Sequence, residues 1–330
     1  MQPKVSIIVP VYNAGIYLTQ CLDSLTNQTL QEIEIILVLD CPTDGSDKIA
    51  CEYAKKDLRI KIVENKENLH IGFSRNEGLK IATGEYIGFC DHDDFCELNM
   101  FNELYSKAKE NDFDIVISDF CEHFNGNISY FRFPDNDNDN IFKETIFEYL
   151  LNGRISTCQE KSFSNIGAIW NQIFKRDMLL KNKIYFDDNR IITMEDTVFN
   201  LRAHFFANKV TSIPKVFYHH QTNSSNAYSD YAYVSFGKVV PYIEIRYEFL
   251  KNHSLLEKYK EANAEFALRK LYSSFRNEVR NKGLMKSLYV FSKIRSNKIL
   301  QELLNSNTDF LKIFPPTKII FYWLCSTKKR

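Results

Sequence analysis

The chain has 330 residues, 44% apolar and 25% charged, which describes a globular protein of roughly two domains with enough apolar surface for a sizeable core. Eleven glycines and eight prolines exclude collagen-like or linker-dominated sequence, and no apolar run reaches the ~18 residues of a membrane span. Lys+Arg and Asp+Glu both total 42, yet residues 231–330 carry 19 basic against 8 acidic side chains, leaving 23 against 34 in residues 1–230.

In chain order, Val5–Pro10 is a β-rich run, followed by a helical pattern with Tyr17, Leu18, Cys21, Leu22 and Leu25 on one face. A second strand is expected over Ile33–Leu39, with a helix carrying Ile49, Ala50, Tyr53 and Ala54 behind it. After a third strand, Ile60–Val63, a helix is predicted from near Ser74 to Thr83-Gly84, where glycine would supply a left-handed cap. The fourth strand, Tyr86–Cys90, leads to a helix with Leu98, Phe101, Leu104 and Ala108, then a strand at Asp114–Ser118. The Asp/Asn tract Asp135–Asn140 reads as an exposed loop. From about Pro241 the pattern changes, and residues 242–305 look helical and basic until Pro315-Pro316. Strand–helix alternation predicts an α/β fold with a mostly parallel sheet flanked by helices, plus a separate C-terminal helical region.

The eight cysteines show neither the short paired spacing of a zinc site nor the density of a secreted disulfide scaffold, and read as reduced thiols. MQPKVSIIVP enters a strand-like segment without the features of a signal peptide, so a cytoplasmic chain is expected.

In doubly wound sheets, ligands sit beyond the carboxyl ends of the strands. The loops there lack the clustered glycines of dinucleotide enzymes and the glycine-lysine loop of NTPases. They are acidic instead: Asp40 follows the second strand, and Asp91-His92-Asp93-Asp94 the fourth. Carboxylates alone would repel a phosphate. They make sense if one hydrogen-bonds a base or ribose while another holds a divalent cation that neutralises a diphosphate. An Asp-x-Asp triplet is weak by itself, since Asp112/Asp114, Asp135/Asp137 and Asp137/Asp139 repeat it, but Asp91 directly follows the buried-type strand Glu85–Cys90. The bland alternative is a solvated turn whose aspartates cap the next helix.

Val5–Asn13, Asp40 with Thr43-Asp-Gly-Ser46, Asn68 through Arg75-Asn76, Ala82-Thr-Gly-Glu-Tyr86 and Asp91–Asp94 together resemble glycosyltransferase family 2. Trp170–Asp177, Phe186-Asp187, Glu195–Phe199 and Tyr218–Ser224 are similar to downstream segments of its bacterial non-processive members. The resemblance covers about 220 residues in order, which sets the expected catalytic domain at residues 1–225 and leaves 226–330 as a basic helical region. It implies a GT-A fold, a nucleotide-sugar donor (usually UDP-linked), a Mn2+ or Mg2+ ion and inversion at the anomeric carbon.

Carried over by resemblance, Pro10 and Tyr12 lie against the nucleotide, Asp40 accepts from uracil, and Asp91 contacts the ribose side of the donor. Asp93 binds the metal and Asp196 is the general base, against the alternative that Glu195 and Asp196 only complement a helix dipole. Glu195 is either an orienting group or a cap, Arg75 either a diphosphate contact or a surface ion pair, and His92 either a sugar contact or an exposed ring. The resemblance also implies an additional metal ligand at His219-His220; adjacent strand residues point to opposite faces, so at most one of them can face the site, and His220 is the candidate. Trp170 reads equally as an acceptor-side stacking ring or as core.

The sequence departs from the family pattern at Leu39, Cys41-Pro42 and His92. The processive Gln-x-x-Arg-Trp signature is absent, which favours addition of a single sugar to a hydroxyl of a surface glycan: lipopolysaccharide, capsule or a lipid-linked oligosaccharide. The basic C-terminal region, with Ile319–Leu324 and Lys328–Arg330, suits docking on an anionic membrane surface at the inner face of the plasma membrane, or else a packed final helix. Nucleic acid is not an expected partner, since no binding motif accompanies the charge. A catalytically silent sugar-nucleotide-binding partner and a sugar nucleotidyltransferase are the alternative functions.

Overall fold

The computed structural model describes residues 2–133, 139–152, 167–222, 235–306 and 316–326. The chain divides into two compact units, one of Met1–Leu150, Arg154–Asn189 and Glu195–Asn223, the other of Leu151–Gly153, Arg190–Met194 and Ser224–Arg330.

The first unit opens with β1 (Val5–Val11), α1 (Tyr17–Thr26), β2 (Ile33–Leu39), α2 (Ser46–Lys56), β3 (Ile60–Glu64), α3 (His70–Ile81) and β4 (Tyr86–Phe89). It continues through β5 (Phe95–Cys96), α4 (Met100–Glu110), β6 (Ile115–Phe124), β7 (Asn127–Phe131), α5 (Asp139–Asn152, its last two residues counted with the second unit), β8 (Gln172–Lys175), α6 (Arg176–Lys181), α7 (Glu195–Phe206) and β9 (Val210–Thr222). Strand order is β3-β2-β1-β4-β8-β6-β9-β5, with β7 paired to β6. β1 and β2 are almost wholly apolar and buried at every position, as expected for parallel strands covered on both faces. Pairing is parallel across β3, β2, β1 and β4; β8 then runs antiparallel between β4 and β6, and β6 pairs parallel with β9. The α/β architecture matches the sequence expectation, with a mixed second half of the sheet that short antiparallel strands create.

Helix α3 starts at His70, four residues before the expected position. Its early start follows from side chains outside it: Asp40 Oδ1 accepts from Leu69 N (2.7 Å) and Asn68 Oδ1 from His70 N (3.1 Å). Gly84 does not supply a left-handed cap, because α3 has already ended at Ala82 in an extended conformation. The glycine is required by proximity instead, since a Cβ there would lie 2.5 Å from the backbone nitrogen of Ser6. Of the tract expected as a loop, residues 134–138 fall outside the described residues, and Asp139-Asn140 already belong to α5. Cys158 and residues 223–234 are also outside them.

The second unit contains α8 (Phe236–Asn252), α9 (Lys260–Lys282), α10 (Leu284–Ser287), α11 (Tyr289–Ser296), α12 (Lys298–Ser306) and α13 (Pro316–Cys325). α8 begins before Pro241, which sits inside the helix and forgoes one backbone bond. Val239, Ile243 and Tyr247 pack against Ala267, Leu271, Ile294, Leu300 and Leu304 to form a core of this unit's own. Phe321 and Tyr322 of α13 join that core, while Ile320 and Leu324 are exposed; Lys328–Arg330 lie outside the described residues. No described helix is long and apolar enough to cross a membrane.

Helix α3 seats on β1 through Gly78, where a Cβ would approach Ile8 Cγ2 to 2.5 Å. Overpacking of this kind typically costs ~1–3 kcal/mol, so Gly78→Ala should lower the urea midpoint. Combining it with Ile8→Ala should cost less than the sum of the two single changes, because the methyl fills the vacated space. Strict additivity in that double-mutant cycle would show that this contact does not limit the approach of α3.

Candidate active site

The chain leaves the sheet where β4 ends. Cys90 N still donates to Ile8 O (3.1 Å), and the next four residues form a turn closed by Asp94 N donating to Asp91 O (3.1 Å). Asp94 is fully buried, and its carboxylate accepts from Tyr218 Oη (2.7 Å), Gln221 N (2.7 Å) and His220 Nδ1 (3.0 Å). The same Tyr218 oxygen accepts from Asp91 N (3.1 Å). Asp94 thus anchors the turn to β9, leaving Asp91, His92 and Asp93 partly exposed.

Arg75 reaches this turn from α3. It is 3% exposed, so it is not the surface ion pair that a helix-opening arginine suggests. Nη2 donates to Asp91 Oδ1 (2.7 Å) and Nη1 to Glu195 Oε1 (3.0 Å), with the guanidinium 5.3 Å from the Phe186 ring centre. Burial by itself would disfavour this cation, but Asp91, Glu195 and Asp196 together hold it charged. Glu195, 1% exposed at the first position of α7, is therefore an internal ion-pair partner. Asp196 is next to it and partly exposed, with Oδ1 accepting from Thr197 N (2.7 Å).

Two glycine- and asparagine-mediated contacts hold α3 and α7 in this relation. Gly72 N donates to Asn189 Oδ1 (2.7 Å), and a Cβ on Gly72 would lie 2.6 Å from Asp187 O. Asn76 exchanges two 2.9 Å hydrogen bonds with the backbone of Phe186, whose ring stacks on Phe199 of α7 at 4.1 Å. Asp187 in turn accepts from Arg202 (2.8 Å). Gly72, Asn76, Phe186, Asp187 and Phe199 belong to the motifs noted in the sequence, Asn189 and Arg202 do not, and the visible work of all of them is to position others.

At the ends of β1 and β2, Asp40 is buried, with Oδ1 also accepting from Asn65 Nδ2 (2.7 Å). Cys41 follows at φ 56°, in the left-handed region that glycine adopts most readily. Asp44 takes donors from Gly15 N (2.7 Å), Ser46 N (3.0 Å) and Ser46 Oγ (2.6 Å), tying the loop after β2 to the loop after β1. Tyr12 stands 47% exposed on that ledge, and His92 Nδ1 pairs with Pro10 O at 3.0 Å.

Trp170 lies in the core, 7% exposed, stacked on Tyr218 (4.3 Å) and His220 (5.5 Å) and edge-on to Phe120. Burial opposes charge on His220, but Asp94 outweighs it and lifts the imidazole to about 9. Asp93 is pushed up to about 6 by burial, then by the charge of Asp94. With Asp94 committed inward, the partly exposed Asp91 and Asp93 are the hard oxygen donors of this turn, the ligand type that a small divalent cation takes. Sequence reasoning passed over Asp94 and the Tyr218 phenol. The third acid of the Asp91–Asp94 run was the available signal, but only the fold shows that it faces inward.

Comparison with known proteins agrees with this geometry. Residues 6–179 match the profile of Glycosyl transferase family 2. The putative glycosyltransferase EpsH of Bacillus subtilis (strain 168) is 32% identical over 301 residues, covering 89% of this chain and 82% of EpsH. The cholesterol galactosyltransferase of Borreliella burgdorferi is 36% identical over 219 residues; the match covers 65% of this chain and 59% of that protein, less than two thirds of its length. Staphylococcus aureus TarS, a poly(ribitol-phosphate) beta-N-acetylglucosaminyltransferase, is 30% identical over 236 residues, 70% of this chain and 38% of TarS. The crystal structure of TarS residues 1–349 in complex with UDP-GlcNAc has the same fold, with a TM-score of 0.64 at 23% identity, covering 91% of this chain and 83% of that one. By profile, relatives and fold, the chain belongs to glycosyltransferase family 2, and it is a glycosyltransferase with the GT-A architecture.

Proposed function

We propose that this glycosyltransferase moves one sugar, with inversion, from a UDP-linked donor to a hydroxyl of a growing bacterial surface glycan. The observation that carries the reading is the buried Arg75, which joins Asp91, at the carboxyl end of β4, to Glu195 at the start of the helix that bears Asp196. One cation thereby fixes a donor-side carboxylate relative to a candidate base. The names of EpsH and TarS, and the UDP-GlcNAc bound to TarS, support the substrate class.

In this reading Tyr12 and Pro10 form the ledge for the base, and Asp40, with Oδ1 already committed, offers its other oxygen to uracil. Asp91 faces the ribose side, with His92 alongside. Asp93 would hold a Mn2+ or Mg2+ ion, with the Nε2 of His220 as the further ligand, since its Nδ1 is bound to Asp94. Such an ion supplies Lewis-acid stabilisation of the leaving diphosphate. Arg75 is spent on two carboxylates, so it positions them rather than touching the diphosphate.

Asp196 takes the proton from the attacking hydroxyl. The Thr197 N–H orients one oxygen and leaves the other for the acceptor. Burial raises its affinity for a proton and the charge of Asp91 adds to this, against the pull of Arg75, which suits a base working near neutrality. The basic C-terminal hundred residues, with Ile320 and Leu324 exposed on α13, would let the enzyme reach lipid-linked acceptors at an anionic leaflet.

Asp196→Asn should reduce transfer by ~10²–10⁴ while UDP-sugar affinity is kept. Equal transfer by the variant in a UDP-release assay would remove Asp196 as the base, and undiminished binding with no wild-type transfer to any acceptor would favour a silent binding protein. Asp93→Ala should weaken UDP binding in calorimetry when Mn2+ is present and leave it unchanged in chelator; identical metal dependence would take Asp93 out of the site.

The acid pair on α7 also carries a pH signature. Burial, then the charge of Asp196, raises Glu195 from 4.5 to about 7, against the pull of Arg75. The folded chain therefore keeps a proton that the unfolded chain has released, so this group's contribution to stability falls as pH climbs from 4.5 through about 7. Urea midpoints measured across that window should decline more steeply in the wild type than in Glu195→Gln; parallel curves would mean that Glu195 stays ionised beside Arg75.

A further inference from the structure

We propose that Cys121, His123 and His219 form a binding site for one zinc ion, separate from the carboxylates at the end of β4. Cys121 and His123 lie two apart on β6 and so share a face, and Cys121 is the register partner of His219 across the β6–β9 pair. Two residues on one strand and one on its neighbour bring three ligand atoms together: Cys121 Sγ lies 3.5 Å from His123 Nε2 and 3.2 Å from His219 Nδ1, and the two nitrogens are 3.0 Å apart. With Zn–N bonds of ~2.0–2.1 Å and a Zn–S bond of ~2.3 Å, a tetrahedral ion needs ligand separations of ~3.4 Å between nitrogens and ~3.6 Å from nitrogen to sulfur. Outward movements of a few tenths of an ångström convert one arrangement into the other.

A second observation points to a metal rather than to a hydrogen-bonded cluster alone. His219 Nε2 is 2.8 Å from Glu97 Oε1, so the carboxylate holds the proton on that nitrogen and turns the Nδ1 lone pair toward Cys121 and His123. A carboxylate behind a ligating histidine is the usual way in which proteins fix ring orientation and tautomer for a metal. The ring is also held in plane by Phe95, stacked at 4.3 Å. The ligand chemistry selects the ion: one sulfur and two imidazole nitrogens suit zinc and not the oxygen-seeking Mg2+ or Mn2+. Cys121 is buried while both histidines are partly exposed, which gives the ion a route in. Uptake forms one Zn–S and two Zn–N bonds and releases the thiol proton to solvent, leaving a fourth position for water.

The site would act as a clip. Strand alternation puts His219 on one face of β9 and Tyr218 and His220, which hold Asp94, on the other. An ion at His219 would fix the strand segment that supports the turn of Asp91–Asp94 from behind.

The test is cobalt and zinc titration of the full chain after chelator treatment. One equivalent of Co2+ should give a thiolate charge-transfer band with intense tetrahedral ligand-field absorption, abolished by one equivalent of Zn2+. Cys121→Ser should lose the band, whereas Asp93→Ala and Cys90→Ser should retain it; the Cys90 control is needed because Cys21 and Cys96 lie 3.7 and 4.0 Å from its sulfur. Glu97→Gln, a change at a half-exposed side chain that leaves all three ligands in place, should weaken zinc by about 10–100-fold. Absence of a thiolate band in the wild type, its survival in Cys121→Ser, or its loss in Cys90→Ser would each overturn the proposal. So would zinc affinity unchanged in Glu97→Gln.

Discussion

One guanidinium organises this molecule. Arg75 is buried with hydrogen bonds to Asp91 and Glu195, and Asp196 adds a third carboxylate nearby. Taking a cation out of water is expensive, and only well-placed opposite charges offset it; removing one partner of such a cluster typically costs ~3–5 kcal/mol. The cluster has more negative than positive charge, so it is a poor device for stability and a good one for geometry. It sets the distance between the end of a central strand and the start of a helix that the sequence separates by more than 100 residues. Burial first, and then the excess negative charge, raise the proton affinity of Glu195 and Asp196 against the pull of the single guanidinium.

Around this pair the fold divides its labour. Helix α3 brings the cation, β4 and its turn bring the exposed aspartates, and β9 holds the turn through Asp94. Asp44 performs the corresponding task at β1 and β2, where one carboxylate gathers three donors from two loops. Side chains that look functional from their polarity are in several cases scaffolding. Asp40 is partly spent on Asn65 and Leu69, Asp187 on Arg202, and Trp170 on Tyr218 and His220.

Local pattern made much of this legible. The apolar runs of β1 and β2, the spacing of α1 and the position of Asp91 after a buried strand all follow from periodicity, and the ordered motifs identify the family. What escaped was long-range pairing. Arg75 read as either a diphosphate contact or a surface ion pair, because its partner Glu195 lies 120 positions away. The early start of α3 depended on Asp40, 29 residues upstream. The cysteines read as isolated thiols, since a Cys-x-His pair on one strand acquires its third member, His219, only when β6 and β9 align. Gly84 illustrates a different failure: the residue type was informative, but close approach of two backbones, rather than a left-handed turn, was the reason for it.

Helix α3 is twelve residues long, and nearly every turn of it has a separate partner. Gly72 meets the 187–189 segment, Arg75 the two carboxylates, Asn76 the Phe186 backbone, and Gly78 the side chain of Ile8. At 3.6 residues per turn, inserting or deleting one residue rotates everything beyond it by about 100°. In this chain the outer stripe of Glu77, Lys80 and Ile81 is open to substitution, whereas an insertion or deletion between Gly72 and Gly78 would break the contacts beyond it, so a change of length belongs in the connecting loops.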